Sequence, residues 1–251
     1  MRKTKAVVLH KNGDADQMVW EEVSLPDPDH GQVLLKHEFV GFNMIDVYHR
    51  SGIYPTPSKP CFLGTEASGV IEQVGPGVKN LNIGDRVAYA GSSSGLGSYS
   101  YSRLMNADDL IIVPDWMRSE VAAAILTKGR TVEYLFNRTY KLQKGDRLLF
   151  NAAAGGVGQI AGLWAASIGA IAIGIVGNMD KEKFARNSGY KHVFNMQDHD
   201  IVREVMAITE GTGVDVVYDS IGKTTWDISL SVVRKLGLVV SFGSASGNPP
   251  L

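Results

Sequence analysis

From Leu148 to Met179 the chain carries no charged residue, and glycines stand at 155, 156, 158, 162, 169, 174 and 177. An uncharged run of this length is long enough to span a bilayer, which takes about 20 apolar residues. The glycines divide it. Gly155, Gly156 and Gly158 interrupt it early and Gly169 late, leaving a helix of about ten residues at roughly 1.5 Å each, half of a membrane span. The segment therefore reads as strand, turn, helix and strand, buried in a globular domain.

What surrounds this segment separates the chain into two halves. Up to about Pro114 the patterns are short and strand-like, at 5–10, 32–42, 68–75, 85–91 and 109–114. Turn signals such as Asn12-Gly13, Pro26-Asp27-Pro28 and Gly75-Pro76-Gly77 separate them. Beyond Pro114, strands alternate with helices, the rhythm of a parallel sheet. Helices are expected from Ser119 to about Tyr140 and at 157–168, 180–188, 199–209 and 224–235, with strands at 147–152, 170–176, 192–194, 214–219 and 237–242.

The chain has 251 residues, between one and two domains of ordinary size. It is 44% hydrophobic and 20% charged, enough to bury a core and too apolar for disorder. The net charge of −1 argues against a dominant nucleic-acid or anionic-membrane footprint. Cys61 is the only cysteine, which excludes an intrachain disulfide and a cysteine-rich zinc site and fits a reducing, cytoplasmic compartment. At the N-terminus the apolar stretch Ala6–Leu9 is too short for a secretory signal.

Leu148 to Gly158 (LLFNAAAGGVG) is a buried strand running into a helix, the context that a dinucleotide fingerprint requires. Against the pattern G-x-G-x-x-G, Ala153 replaces the first glycine, Gly155 lets the backbone approach a pyrophosphate, and Gly158 permits close helix–strand packing. Gly156 and Val157 open the helix, whose N-terminus attracts that anion. An NAD-type site places an acid at the end of the second strand, for the ribose 2′-OH. Here that end reads Val176-Gly177-Asn178-Met179-Asp180-Lys181. With no acid at the strand tip and Lys181 just beyond, a 2′-phosphate is accommodated, and the expected cofactor is NADPH.

Four segments carry a more specific resemblance: Gly41 to Pro55 (GFNMIDVYHRSGIYP), Gly64 to Gly69 (GTEASG), Asn151 to Gly158, and Val217 to Gly222 (VYDSIG). Together they resemble the zinc-independent, zeta-crystallin-like quinone oxidoreductases of the medium-chain dehydrogenase/reductase superfamily. The resemblance implies an α/β chain: a β-rich GroES-like catalytic domain over 1–118, then a Rossmann doubly wound parallel sheet over 119–251, with the active site in the cleft between them. It implies that Asn43 and Met44, Ile45, Asp46, Val47 and Tyr48 lie beside the nicotinamide, with Tyr54 near cofactor and substrate. Thr131 and Tyr134 would face the cleft. Gly177, Asn178, Lys181 and Ser220 would surround the adenosine half, and Phe242, Gly243 and Ser244 the nicotinamide side. Met196 and Leu163 depart from the tyrosine and glutamine common in the family.

Zinc-dependent relatives have Gly-His-Glu where this chain has Gly64-Thr65-Glu66, and threonine is a poor zinc ligand. No metal is expected. The implied reaction is hydride transfer from NADPH to a quinone or related conjugated carbonyl, polarised by Asn43, Tyr48 and Tyr54. An enone or alkenal reductase is a variant of this reading. A different class is a non-enzymatic NADPH-binding protein, crystallin-like or binding single-stranded RNA.

The resemblance also implies a longer full-length fold, in which a further Rossmann strand and returning helices follow residue 251 and a homodimer forms through that strand. Gly91-Ser92-Ser93-Ser94-Gly95 matches the G-x-S-x-G of hydrolases, but no helix is expected after it, so it reads as a surface loop. Cys61 beside Pro60 reads as a small core residue in a loop.

Overall fold

The structure, a computed structural model, describes residues 2–250. The chain forms two compact units, Met1–Thr127 and Lys128–Leu251. The first is built from β1 (Arg2–Leu9), β2 (Met18–Leu25), β3 (Gln32–Gly41), α1 (Met44–Ser51), β4 (Cys61–Phe62), β5 (Glu66–Val74), β6 (Arg86–Ala90), β7 (Ser102–Asn106) and β8 (Ile111–Ile112). The division falls inside α2 (Ser119–Tyr134).

In the first unit a five-stranded antiparallel sheet has the order β7-β3-β5-β6-β8, and a three-stranded sheet the order β2-β1-β4. Alternation along the strands sends Val33, Leu35, Ala67, Ile71, Val87, Tyr89 and Met105 into one core. Leu9, Cys61 and Leu63 form a smaller one. Cys61 is the small core residue expected, but it sits in β4 and not in a loop. Three elements are not visible in the sequence pattern: β2, β4 and α1. The G-x-S-x-G segment is a loop, and the Ser92 and Ser93 hydroxyls donate to Asp109.

The second unit continues α2 through a π-helical turn at Leu135–Thr139, so the helical run ends where the sequence places it. Then follow β9 (Arg147–Asn151), α3 (Gly156–Ile168), β10 (Ile171–Val176), α4 (Met179–Asn187), β11 (His192–Asn195), α5 (Ile201–Ile208), β12 (Val214–Asp219), α6 (Trp226–Val232) and β13 (Val233–Ser241). All four strand pairings are parallel, in the order β11-β10-β9-β12-β13. This is the doubly wound arrangement, and its order reverses between β9 and β12.

The largest boundary difference from expectation lies between the last helix and the last strand. The helix predicted to reach residue 235 stops at Val232, and β13 begins at Val233. Val233 pairs with Val214 in the sheet, and the Arg234 guanidinium lies 2.7 Å from Asp215 Oδ1. These contacts hold the segment extended, which the β-branched Val232-Val233 pair favours.

Candidate cofactor and active site

The ends of the parallel strands gather the groups of the second unit. At the switch point, β9 leads through Ala152 (φ 58°) into α3, whose N-cap is Gly155. The left-handed residue is thus Ala152, one position before the glycine that Ala153 replaces. Ala153 itself is fully buried, its N–H donating to Ile175 O.

Gly158 shows why the fingerprint ends in glycine: a Cβ there would sit 2.5 Å from the carbonyl oxygens of Ala152 and Ala153. The Tyr190 hydroxyl donates to Gly158 O at 2.7 Å, and its ring occupies the space left by Gly162 and Gly174. With α3 drawn onto β9 in this way, Gly155 and Gly156 remain exposed and Val157 half-buried at the helix entrance. The first-turn N–H groups of α3 lack intrahelical acceptors, so this entrance is a donor cradle for an anion. A Cβ on Gly156 would meet the Lys128 side chain at 2.7 Å, and one on Gly155 only Ala152 O at 3.1 Å.

Next to the cradle, β10 ends at Val176, and Gly177 opens onto free space. Asn178 caps α4, its Oδ1 accepting from Lys181 N at 3.2 Å. Lys181 is exposed, and among the described residues its ammonium has no carboxylate partner. On the other side of the switch point, fully buried Asp219 organises the turn after β12. It accepts from the N–H groups of Ile221 and Gly222 and the hydroxyls of Thr225 and Ser229.

Ser220 and Gly243 meet beside this turn, where a Gly243 Cβ would lie 2.8 Å from Ser220 O. Phe242 packs on Phe150 at 5.7 Å, with Ser244 following it. Residues 153–158, 177–181, 220 and 242–244 thus share the C-terminal edge of one sheet. Thr131 is half-buried and Tyr134 exposed on α2 of this unit.

In the first unit the segment 43–54 folds on itself. Asn43 is the N-cap of α1, and the Asp46 carboxylate accepts from Asn43 N at 2.9 Å. Gly52 (φ 87°) ends the helix, and Tyr54 N donates back to Tyr48 O. That return packs the Tyr48 and Tyr54 rings together, centroids 5.1 Å apart and planes tilted by 55°. Asn43 and Tyr48 are buried, whereas Met44 and Tyr54 are exposed and Ile45 is half-buried.

Asp46 and Val47 line a different feature, an apolar pocket of about 190 Å³ shared with Met18, Val40, Phe42, Arg50 and Tyr99. Asp46 is held by Thr65 Oγ1 at 3.0 Å and the Tyr99 hydroxyl at 2.9 Å. Burial pushes its carboxyl up, and the hydrogen bonds from Tyr99, Asn43 N and Thr65 partly offset this. The hydroxyl of Thr65, in the Gly64-Thr65-Glu66 segment, is thus committed to a carboxylate. Among the described residues no three His, Cys, Asp or Glu side chains come together as a metal site.

Two groups escape the sequence reading as individual residues. Glu66 is fully buried and accepts from Asn43 Nδ2 at 2.7 Å and from Thr127 N at 2.8 Å. Asp219 holds the turn described above. Both lie in segments that carry the resemblance, but nothing in the pattern distinguishes a fully buried acid from an exposed one.

The alcohol dehydrogenase GroES-like domain family matches residues 29–115, and the zinc-binding dehydrogenase family matches residues 156–251. The quinone oxidoreductase of Salmonella typhimurium is 45% identical over 96% of this chain and 73% of its own length. A 2-haloacrylate reductase from Burkholderia is 44% identical over 96% of this chain and 74% of its own. The structure of Escherichia coli quinone oxidoreductase complexed with NADPH superposes with a TM-score of 0.94 at 43% identity, covering 98% of this chain and 75% of that one. In sequence and in fold, the chain belongs to the quinone oxidoreductase family of the medium-chain dehydrogenase/reductase superfamily.

Proposed function

We propose that this chain is an NADPH-dependent oxidoreductase that reduces a quinone or a related conjugated carbonyl without a metal. The observation that carries the reading is the edge of the parallel sheet. There a glycine cradle at a helix entrance stands beside a strand tip with no acid and beside Lys181, whose ammonium has no carboxylate partner among the described residues. The E. coli relative in complex with NADPH supports the choice of cofactor.

When bound, NADPH supplies the hydride. Gly156, Val157 and Gly158 would hold the pyrophosphate with backbone N–H groups beside the bare Gly155, Lys181 would pair with the 2′-phosphate, and Gly177, Asn178 and Ser220 would border the adenosine half. Phe242, Gly243 and Ser244, with Thr131 and Tyr134, serve the nicotinamide half. Asn43, Tyr48 and Tyr54 polarise the substrate carbonyl, and the proton comes from a nearby hydroxyl or from water. Met44 and Ile45 line the same region, whereas Asp46 and Val47 act from behind by fixing α1. A metal-free mechanism is supported by Thr65, whose hydroxyl serves Asp46.

The 44% identical 2-haloacrylate reductase favours a second substrate class, an activated alkene. No helix among the described residues is long and apolar enough to cross a membrane. We place the protein in the cytoplasm on its single cysteine, keep 1–118 and 119–251 as its domains, and expect no nucleic-acid partner. NADPH oxidation driven by a simple quinone in the presence of a chelator tests the reading. Binding of NADPH without turnover of either substrate class would favour the non-enzymatic alternative.

A further inference from the structure

We infer that Glu66 is a positioning residue: one buried carboxylate sets the amide of Asn43 and, through it, the start of the helix that carries Tyr48. The inference rests on the reading of Asn43 and Tyr48 as groups that serve the reacting carbonyl. Glu66 opens β5 opposite Gly41 and is fully buried. A carboxylate only accepts, so the Asn43 atom 2.7 Å from Glu66 Oε2 is the amide nitrogen, which fixes the amide's orientation. Nδ2 also lies 3.5 Å from Thr127 Oγ1, and the second carboxylate oxygen accepts from Thr127 N at 2.8 Å. A charge-assisted bond of this kind is about twice as strong as a neutral one.

The surroundings are shaped for this carboxylate. A Cβ on Gly41 would stand 2.5 Å from Glu66 Oε2 and would also meet Ala123 O. The neighbouring residue grips the same helix start, because Thr65 Oγ1 donates to Asp46, which accepts from Asn43 N. Residues 65 and 66 thus hold Asn43 by its backbone and by its side chain. Neither residue needs to touch substrate to govern where Asn43 and Tyr48 stand, and a misplacement of about 1 Å at a reacting group costs about 100-fold in rate.

The test compares Asn43→Ala, Glu66→Gln, and the pair Asn43→Asp with Glu66→Gln. The readouts are NADPH oxidation with 1,4-benzoquinone, NADPH affinity by fluorescence titration, and thermal midpoint. Glu66→Gln sets an amide against an amide and is expected to lower kcat about tenfold or more, with quinone KM and NADPH affinity changed less than about threefold. In the paired variant the introduced glutamine donates to the introduced aspartate, the reverse of the native contact, and the thermal midpoint is expected to rise above that of Glu66→Gln alone, while kcat stays low because aspartate offers the carbonyl no N–H. A Glu66→Gln enzyme with parental kcat, beside an impaired Asn43→Ala, would overturn the inference and leave the proposed function standing. A paired variant with a midpoint no higher than that of Glu66→Gln alone, or one that fails to fold, would also overturn it. An Asn43→Ala enzyme with parental turnover would instead overturn the underlying reading of Asn43.

Discussion

The Tyr99 hydroxyl donates to Asp46 Oδ2 at 2.9 Å, tying the loop before β7 to the first turn of α1. Burial and the adjacent carboxylate push the tyrosine's pKa far above its ordinary value, so the hydroxyl stays a donor at every usable pH. Tyr99→Phe removes one donor from a carboxylate that is 3% exposed. Leaving such a group short of a partner costs about 1–3 kcal/mol. We expect a lower urea midpoint for Tyr99→Phe, with Asp46→Asn recovering part of the loss in that background. A parental midpoint for Tyr99→Phe would refute this account of the contact.

His37 carries the clearest pH dependence. Its Nδ1 lies 2.7 Å from Ser100 O and its Nε2 2.9 Å from the Tyr89 hydroxyl, so the neutral ring donates at Nδ1 and accepts at Nε2. Burial, against the hydrogen bond to Ser100 and with help from Arg103, lowers its pKa from 6.5 to about 4. The unfolded chain therefore binds the proton more readily than the folded one between these values. The stability that depends on neutral His37 is complete above about pH 6.5 and declines as pH falls to about 4. Its magnitude is at most about 3 kcal/mol. Urea melts across this window should show the decline in the parent and a flatter profile in His37→Gln.

Lys181 is expected to set cofactor preference. A charge-assisted pair with phosphate is worth about 1.5–3 kcal/mol, or one to two decades in affinity. Lys181→Glu should lose about that much NADPH affinity and leave NADH affinity nearly unchanged. Titrations showing equal NADPH and NADH affinity in the parent would contradict the assignment.

Gly158→Ala tests the packing beneath the cradle. Its methyl would meet two backbone carbonyl oxygens at 2.5 Å, and backbone cannot swing aside as a side chain does. The cost is about 1–3 kcal/mol of overpacking strain, with weakened NADPH binding because the α3 entrance shifts. The control is Gly177→Ala, which meets nothing within 4 Å and should keep the parental thermal midpoint.

The second unit is largely legible in the sequence because its strands and helices alternate around glycines with fixed jobs. Strand β12 falls at 214–219 as read, and α3 begins at Gly156, one residue early. The helix end at Val232 is not legible because a tertiary pairing, Val214 with Val233, overrides local preference. In the first unit α1 escapes because it has only eight residues and mixes polar with apolar side chains, so only resemblance draws attention to it. Tyr48 and Tyr54 come together through the Gly52 turn and the Tyr54 N–H. Glu66 and Asp219 give no signal of their own, since burial of a lone acid is a tertiary fact that periodicity does not encode.

The central claim is most directly tested by steady-state NADPH oxidation in the presence of EDTA, with 1,4-benzoquinone as acceptor and NADH as the comparison. The account predicts saturable, quinone-dependent oxidation that chelation does not diminish and that is faster with NADPH than with NADH at low cofactor concentration. Activity abolished by EDTA and restored by zinc, or NADPH binding with no oxidation by any quinone or conjugated alkene, would contradict it.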